Sequence, residues 1–334
     1  MTIRIMKKVK LIEIHSELGA GTRGAGLGPS AIKVASLNKK SNLFGSYDLT
    51  EVPNENEVLF SFEKSKNNYK YAKWMDEVKS NCKRVCDTVF QTLEAGEMPV
   101  IISGDHSSAA GIIAGVKKHH KNERLGIVWI DAHADLHSPY TTPSGNMHGM
   151  PLGASLGLDK LGKELGNGQI NTIEAPLEKK WSDFKNMGDV SPKFDPENLV
   201  FIGIRDLEEE EQRLIRHLNV NVIRIEELRT NGAEAVANTT IKLLEDCDKI
   251  FISFDVDSLD SKNVSTGTGT PVPNGINLGE AKTLVDHLLG QNKVCAFEIT
   301  EVNPTLDNKI NYMAEVAFDL LDTSITAINN RKDI

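Results

Sequence analysis

The chain has 334 residues, a net charge of −9 and a pI near 5.6, so it lacks the excess of Lys and Arg that a phosphate backbone demands, and nucleic acid is not an expected partner. Its length suits one large α/β domain, 1–334, and no window holds the ~18 apolar residues of a membrane span. Four cysteines (Cys82, Cys86, Cys247, Cys295) without C-x-x-C spacing, and a start (MTIRIMKKVKLIEI) with no long apolar stretch, predict a reduced cytoplasmic setting and no secretory signal.

Residues 8–15 (KVKLIEIH) predict a first strand, running into a Gly-rich turn from Gly19 to Pro29. That turn either cradles a ligand or is a plain loop before a helix that Pro29 opens. Residues 45–70 are polar and turn-rich. Tyr71, Trp74, Met75, Val78, Cys82, Val85, Cys86, Val89, Phe90 and Leu93 recur at helical spacing, which predicts a long helix and places both cysteines in its core stripe. Gly96 closes that helix and Pro99 opens a strand. Residues 107–120 read as a helix ending in His119 and His120, a solvated pair near its carboxyl end. After a strand at 127–130, residues 138–151 (SPYTTPSGNMHGMP) form a loop over the carboxyl end of the sheet, where open α/β sheets carry substrate chemistry. Residues 160–198 are a long polar excursion with Trp181 and Phe184 as scattered anchors. A strand at 198–205 leads to Glu208–Glu211, a solvated helix start in which Glu208 lies nearest the strand end. A short strand at 220–225, a helix at 232–244, a strand at 250–260, a helix at 278–289, a strand at 293–303 and a helix at 311–329 complete the chain. This alternation predicts a three-layer α/β/α fold with a mostly parallel, doubly wound sheet.

Three of the strands end in ionisable residues. Residues 127–137 (IVWIDAHADLH) place Asp131, His133 and Asp135 at i, i+2 and i+4, on one side of an extended chain. Residues 252–260 end in Asp255 and Asp257, and residues 98–107 end in Asp105 and His106. His106, Asp131, His133, Asp135, Asp255 and Asp257 make a set of four carboxylates and two imidazoles. Such a cluster is unfavourable without a cation and is larger than one ion needs, which suits two ions sharing bridging carboxylates. Thiolates are absent from the set; structural zinc favours Cys and His, magnesium seldom takes His, and manganese accepts the mixture and works in pairs. Two such ions depress the pKa of a shared water, so the reaction class is metal-assisted hydrolysis. His148 and Glu301, taken singly, fit loop hydrogen bonding as well as catalysis.

These stretches resemble the arginase (ureohydrolase) family. The likeness runs through nearly the whole chain in order, from Arg23-Gly-Ala-Gly-Leu-Gly-Pro29 to Glu301-Val-Asn-Pro304, with the ligand motifs Gly104-Asp-His-Ser107, Asp131-Ala-His-Ala-Asp135 and Ser253-Phe-Asp-Val-Asp257 between them. The loop Ser144-Gly-Asn-Met-His-Gly149 resembles that of arginases rather than agmatinase-like or formimidoylglutamase-like relatives. The resemblance implies hydrolysis of L-arginine to L-ornithine and urea by a hydroxide bridging two Mn2+ ions. It implies that His106, Asp131, Asp135 and Asp255 hold the first ion. Asp131, His133, Asp255 and Asp257 hold the second. It further implies that Glu301 holds the guanidinium, that Asp135 and His148 move protons, and that Ser144 and Asn146 take the α-carboxylate, with Glu208 on the α-amino group and His137 beside it. A homotrimer or homohexamer is the implied assembly. Alternatives are hydrolysis of another guanidino compound, such as agmatine or a guanidino acid, and a non-catalytic metal-binding homologue. The chain departs from the family pattern in having His137 in place of Asn, Glu208 in place of Asp, and Ser103 in place of the first Gly of a Gly-Gly pair.

Overall fold

The structure, a computed structural model, describes residues 9–61, 68–159 and 170–331. Residue 8 of the first expected strand and residues 160–169 of the excursion lie outside the described residues. Eight strands, β1 (Val9–Ile14), β2 (Asp48–Val52), β3 (Met98–Ser103), β4 (Leu125–Ile130), β5 (Leu199–Ile202), β6 (Asn221–Ile223), β7 (Lys249–Asp255) and β8 (Val294–Thr300), form one sheet in the order β2-β1-β3-β8-β7-β4-β5-β6. Every pairing is parallel, as expected where helices connect the strands.

Both faces are covered, which explains the continuous apolar runs. Along β4, Val128 and Ile130 face a cluster with the helices Gly28–Asn38, Ala233–Leu243, Leu278–Leu289 and Tyr312–Asn329. Ile127 and Trp129 face the opposite cluster, with Met75–Glu94, Ala109–His119 and Glu209–Leu218. Trp129, Phe201, Phe251, Phe254 and Phe297 are fully buried, each contributing roughly 1.5–3 kcal/mol by leaving water. The α/β/α layering is as expected.

Several boundaries differ from the sequence reading. β2 falls inside the stretch read as turns; only Val52 of its five residues is buried, so this edge strand carries no apolar alternation. The long helix begins at Met75, not Tyr71, after a left-handed Trp74. Cys82 and Cys86 are buried on it. His119 contacts Glu94 and His120 contacts Glu123, and His120 is buried rather than solvated. The excursion contains the helix Ala175–Lys185, whose Leu177, Trp181 and Phe184 enter a third apolar cluster with Met75, Val78 and Cys82. Their i, i+4, i+7 spacing is a helical signal.

Candidate metal centre and substrate pocket

The carboxyl ends of β3, β8, β7 and β4, four neighbours at the centre of the sheet, converge on one polar cavity of about 290 Å3. Three of these strands end alike. Asp105 accepts the backbone N–H of Ser107 at 2.8 Å, Asp131 that of His133 at 2.7 Å, and Asp257 donates its N–H to Asp255 at 2.8 Å. Such Asx turns stop the ladder and fold the next residues back over the strand end. The expected extended spacing of Asp131, His133 and Asp135 is therefore corrected: β4 stops at Ile130, and Asp135 is left-handed, with φ 51°. The turn, not strand alternation, gathers the three side chains.

The six expected ligands do come together. His106 Nδ1 lies 3.2 Å from Asp131 Oδ2, 3.1 Å from Asp135 Oδ2 and 3.1 Å from Asp255 Oδ2. His133 Nδ1 lies 2.9 Å from Asp257 Oδ2 and 3.5 Å from Asp131 Oδ1. Two ligand-capable groups result, His106–Asp131–Asp255 and Asp131–His133–Asp257, sharing Asp131. Burial and the Asp131 charge push the Asp135 carboxyl up to about 6. Burial opposes it, yet Asp257 and Asp131 hold the His133 ring well above the usual imidazole range. His106 Nδ1 and Asp131 Oδ2 are buried without a hydrogen-bond partner. Oxygen and imidazole donors left unsatisfied around one point fit hard or borderline divalent ions.

His106 is held by its surroundings. Its ring stacks on Trp129, centroids 4.1 Å apart and planes 5° apart. Its Nε2 is 2.8 Å from Ser253 Oγ, which donates to Glu298 Oε2 at 2.9 Å. Glu301, left-handed with φ 67°, follows β8 and is 1% exposed. Its Oε1 accepts from the His106 backbone N–H and from His148 Nδ1, both at 3.0 Å. Its Oε2 is buried and unpartnered. Burial disfavours the imidazolium of His148, but the Glu301 contact overrides it and pushes His148 up to about 9. His148 lines the cavity, and Glu301 stands behind it.

The cavity lining also carries Ser144, Asn146, His137, Glu208 and Glu211. Asn146 Oδ1 accepts from Lys73 Nζ at 2.9 Å. His137 Nε2 is 3.4 Å from Glu208 Oε2, and its Nδ1 is 3.2 Å from Thr141 Oγ1. Both ring nitrogens thus already have protein partners. Glu208 caps the helix Glu209–Leu218, and Glu211 Oε2 accepts the Glu208 N–H at 3.3 Å. The His137 contact draws Glu208 down to about 2, while burial and the neighbouring Glu208 charge push Glu211 up. Sequence reasoning gave no role to Lys73, Glu211, Ser253, Glu298 or Thr270, whose Oγ1 donates to Asp257 Oδ2 at 2.9 Å. The Glu208-x-x-Glu211 spacing of a capping box is the signal that links Glu211 to Glu208.

A parallel α/β/α sheet whose central strand ends gather four carboxylates and two imidazoles at a polar cavity defines a three-layer α/β/α protein with a candidate two-ion centre. The arginase family model matches residues 7–326, and the chain belongs to that family. It is 34% identical over 319 residues to an arginase of Bacillus subtilis, covering 95% of this chain and 97% of that one. The solved arginase of Bacillus caldovelox is similar to it, with a TM-score of 0.78 and 31% identity, covering 98% of this chain and 100% of that one. An Entamoeba histolytica arginase solved in complex with L-ornithine matches with a TM-score of 0.76 and 26% identity over 96% of this chain and 99% of that one.

Proposed function

We propose that this chain hydrolyses L-arginine to L-ornithine and urea, using two Mn2+ ions. His106, Asp131, Asp135 and Asp255 would hold one ion, and Asp131, His133, Asp255 and Asp257 the other. Bound there, two divalent ions supply acidification of water near neutral pH.

The observation that carries the reading is Glu301: a buried carboxylate with one oxygen held by His148 and the His106 N–H, the other unpartnered, beside the acidic cluster. A guanidinium keeps its charge at any working pH, so its site requires a fixed anion. Glu301 anchors the guanidinium and turns its carbon towards the cluster. Asp135, facing the cavity, takes the proton lost by the attacking water and passes it to the leaving amine. His148, held as imidazolium by Glu301, gives the departing amine its second proton and is reprotonated through solvent by the proton that the added hydroxyl loses as urea forms. Ser144 and Asn146 bind the α-carboxylate. Glu208 binds the α-amino group, and His137 orients Glu208. The ornithine complex of the Entamoeba relative, a bound product, supports an amino-acid end of this kind.

The family match and the single shared sheet support one catalytic domain, 1–334, with an excursion at 160–198; a cytoplasmic homotrimer or homohexamer completes the proposal. Urea release by the manganese-loaded protein, offered L-arginine, agmatine and guanidinobutyrate side by side, tests the reading. Preference for arginine is expected. Preference for either other compound discards the amino-acid clamp, and urea from none discards the reaction.

A further inference from the structure

Ser103, Ser253 and Glu298 sit on the neighbouring strands β3, β7 and β8, each at most 1% exposed. Glu298 lies between the two serines. Its Oε1 accepts from Ser103 Oγ at 2.6 Å and its Oε2 from Ser253 Oγ at 2.9 Å. Both partners are neutral hydroxyls. A carboxyl buried on such support is costly to keep, and nothing in the reaction uses it directly. Its effect passes through Ser253. A serine hydroxyl has one hydrogen. Given to Glu298, it leaves the Ser253 Oγ lone pair to accept from the Nε2–H of His106, 2.8 Å away. The imidazole then carries its hydrogen on Nε2. A bare Nδ1 faces the oxygens of Asp131, Asp135 and Asp255, while Trp129 fixes the ring plane.

We propose that Ser103, Glu298 and Ser253 are positioning residues that hold His106 as the Nε2–H tautomer and thereby present Nδ1 as a metal ligand. The proposal rests on the two-ion reading of the site. A metal-bound histidine characteristically donates its second ring N–H to a carboxylate or carbonyl, fixing tautomer and angle. Here the serine is inserted between ring and carboxylate, and Ser103 holds the far side of Glu298, so the carboxylate is gripped at both oxygens.

The test counts manganese per chain across buffered free-Mn2+ concentrations for the full-length protein, Ser253→Ala and Ser103→Ala. Ser253→Ala removes the acceptor and is expected to need about 10- to 100-fold more free manganese to half-fill one site, with the other site unchanged. Saturating manganese should restore its turnover, with KM for arginine as in the unsubstituted protein. Ser103→Ala, a smaller change that preserves the Ser253 contact, should shift the same site in the same direction by less. It decides the matter should Ser253→Ala fail to fold. Titrations that superimpose on the unsubstituted protein, or an equal loss at both sites, overturn the proposal. An unsubstituted protein that takes up fewer than two ions sinks the two-ion reading itself.

Discussion

Glu301 Oε1 receives two hydrogen bonds at 3.0 Å, one from His148 Nδ1 on the cavity loop and one from the backbone N–H of His106 at the end of β3. One carboxylate thus ties the loop that carries His148 to the strand end that carries His106. Removing its charge while keeping its shape should separate binding from chemistry. Glu301→Gln is expected to lower kcat/KM for arginine by about 10- to 150-fold, the equivalent of ~1.5–3 kcal/mol for a hydrogen bond to a charged group. Manganese content, measured after dialysis, should be unchanged. Full activity in that variant would remove Glu301 from the guanidinium site.

His148→Asn should cut kcat by about 10²- to 10⁴-fold, the range for loss of a general acid or base. The fall should be steepest where solvent must resupply the proton, so a small exogenous imidazole should restore part of the rate. Metal lost along with activity would instead make His148 a ligand.

Chelating the metals should lower the melting temperature, because the acidic cluster then lacks its counter-charge. Re-addition at about 100 times the dissociation constant should return roughly 2.7 kcal/mol per ion by mass action. Calorimetry at graded manganese concentrations reads this directly; a melting temperature indifferent to the ion would mean the cluster is satisfied without it.

Lys73 can only donate, so the atom it meets on Asn146 is the carbonyl oxygen, and the amide orientation is set. Lys73→Met should raise KM for arginine several-fold, the loss of about 1 kcal/mol from one hydrogen bond. The KM for agmatine, which has no α-carboxylate, should not move. Equal effects on both substrates would assign Lys73 to loop stability alone.

A second ion cluster lies away from the cavity: Glu13 meets His15 Nε2 at 3.5 Å and Lys33 Nζ at 2.5 Å. Contact with Glu13 raises the His15 pKa, with burial opposing. A raised folded-state pKa gives stability that is fully present below the unfolded value, ~6.5, and fades as pH rises through the folded value. The stability gap between the unsubstituted protein and His15→Gln, from urea unfolding at pH 5.5 to 9, should therefore narrow with rising pH. A flat or widening gap would contradict the pairing.

Much of this molecule is legible along the chain because its centre is apolar on both faces. β3 and β4 announce themselves as continuous apolar runs, and β7 and β8 as apolar runs broken only by Ser253 and Glu298 inside them; the acids follow at or just past each end. β2 is invisible by the same criterion, since an edge strand with one buried residue has no periodicity to read. Asp131, His133 and Asp135 are picked out by their types, but the geometry inferred for them is wrong, because an Asx turn and a left-handed Asp135 replace the extended chain. Glu298 and Lys73 stay hidden for a different reason. Their partners lie 195 and 73 residues away, at Ser103 and Asn146, and only the folded chain brings such pairs into range.

The strand order also bears on how the chain acquires its site. β2, β1 and β3 make one part of the sheet and β7, β4, β5 and β6 the other, with β8 pairing to both β3 and β7. His106 belongs to the first part, and Asp131, His133, Asp135, Asp255 and Asp257 to the second. The last strand made is thus the wedge that joins them. During synthesis the acidic residues precede the strand that pairs β3 to β7. Contacts of such long sequence separation form slowly, so the meeting of His106 with the acidic cluster belongs to a chain grown past β8, and a chain halted before residue 294 carries these residues without the sheet that joins them.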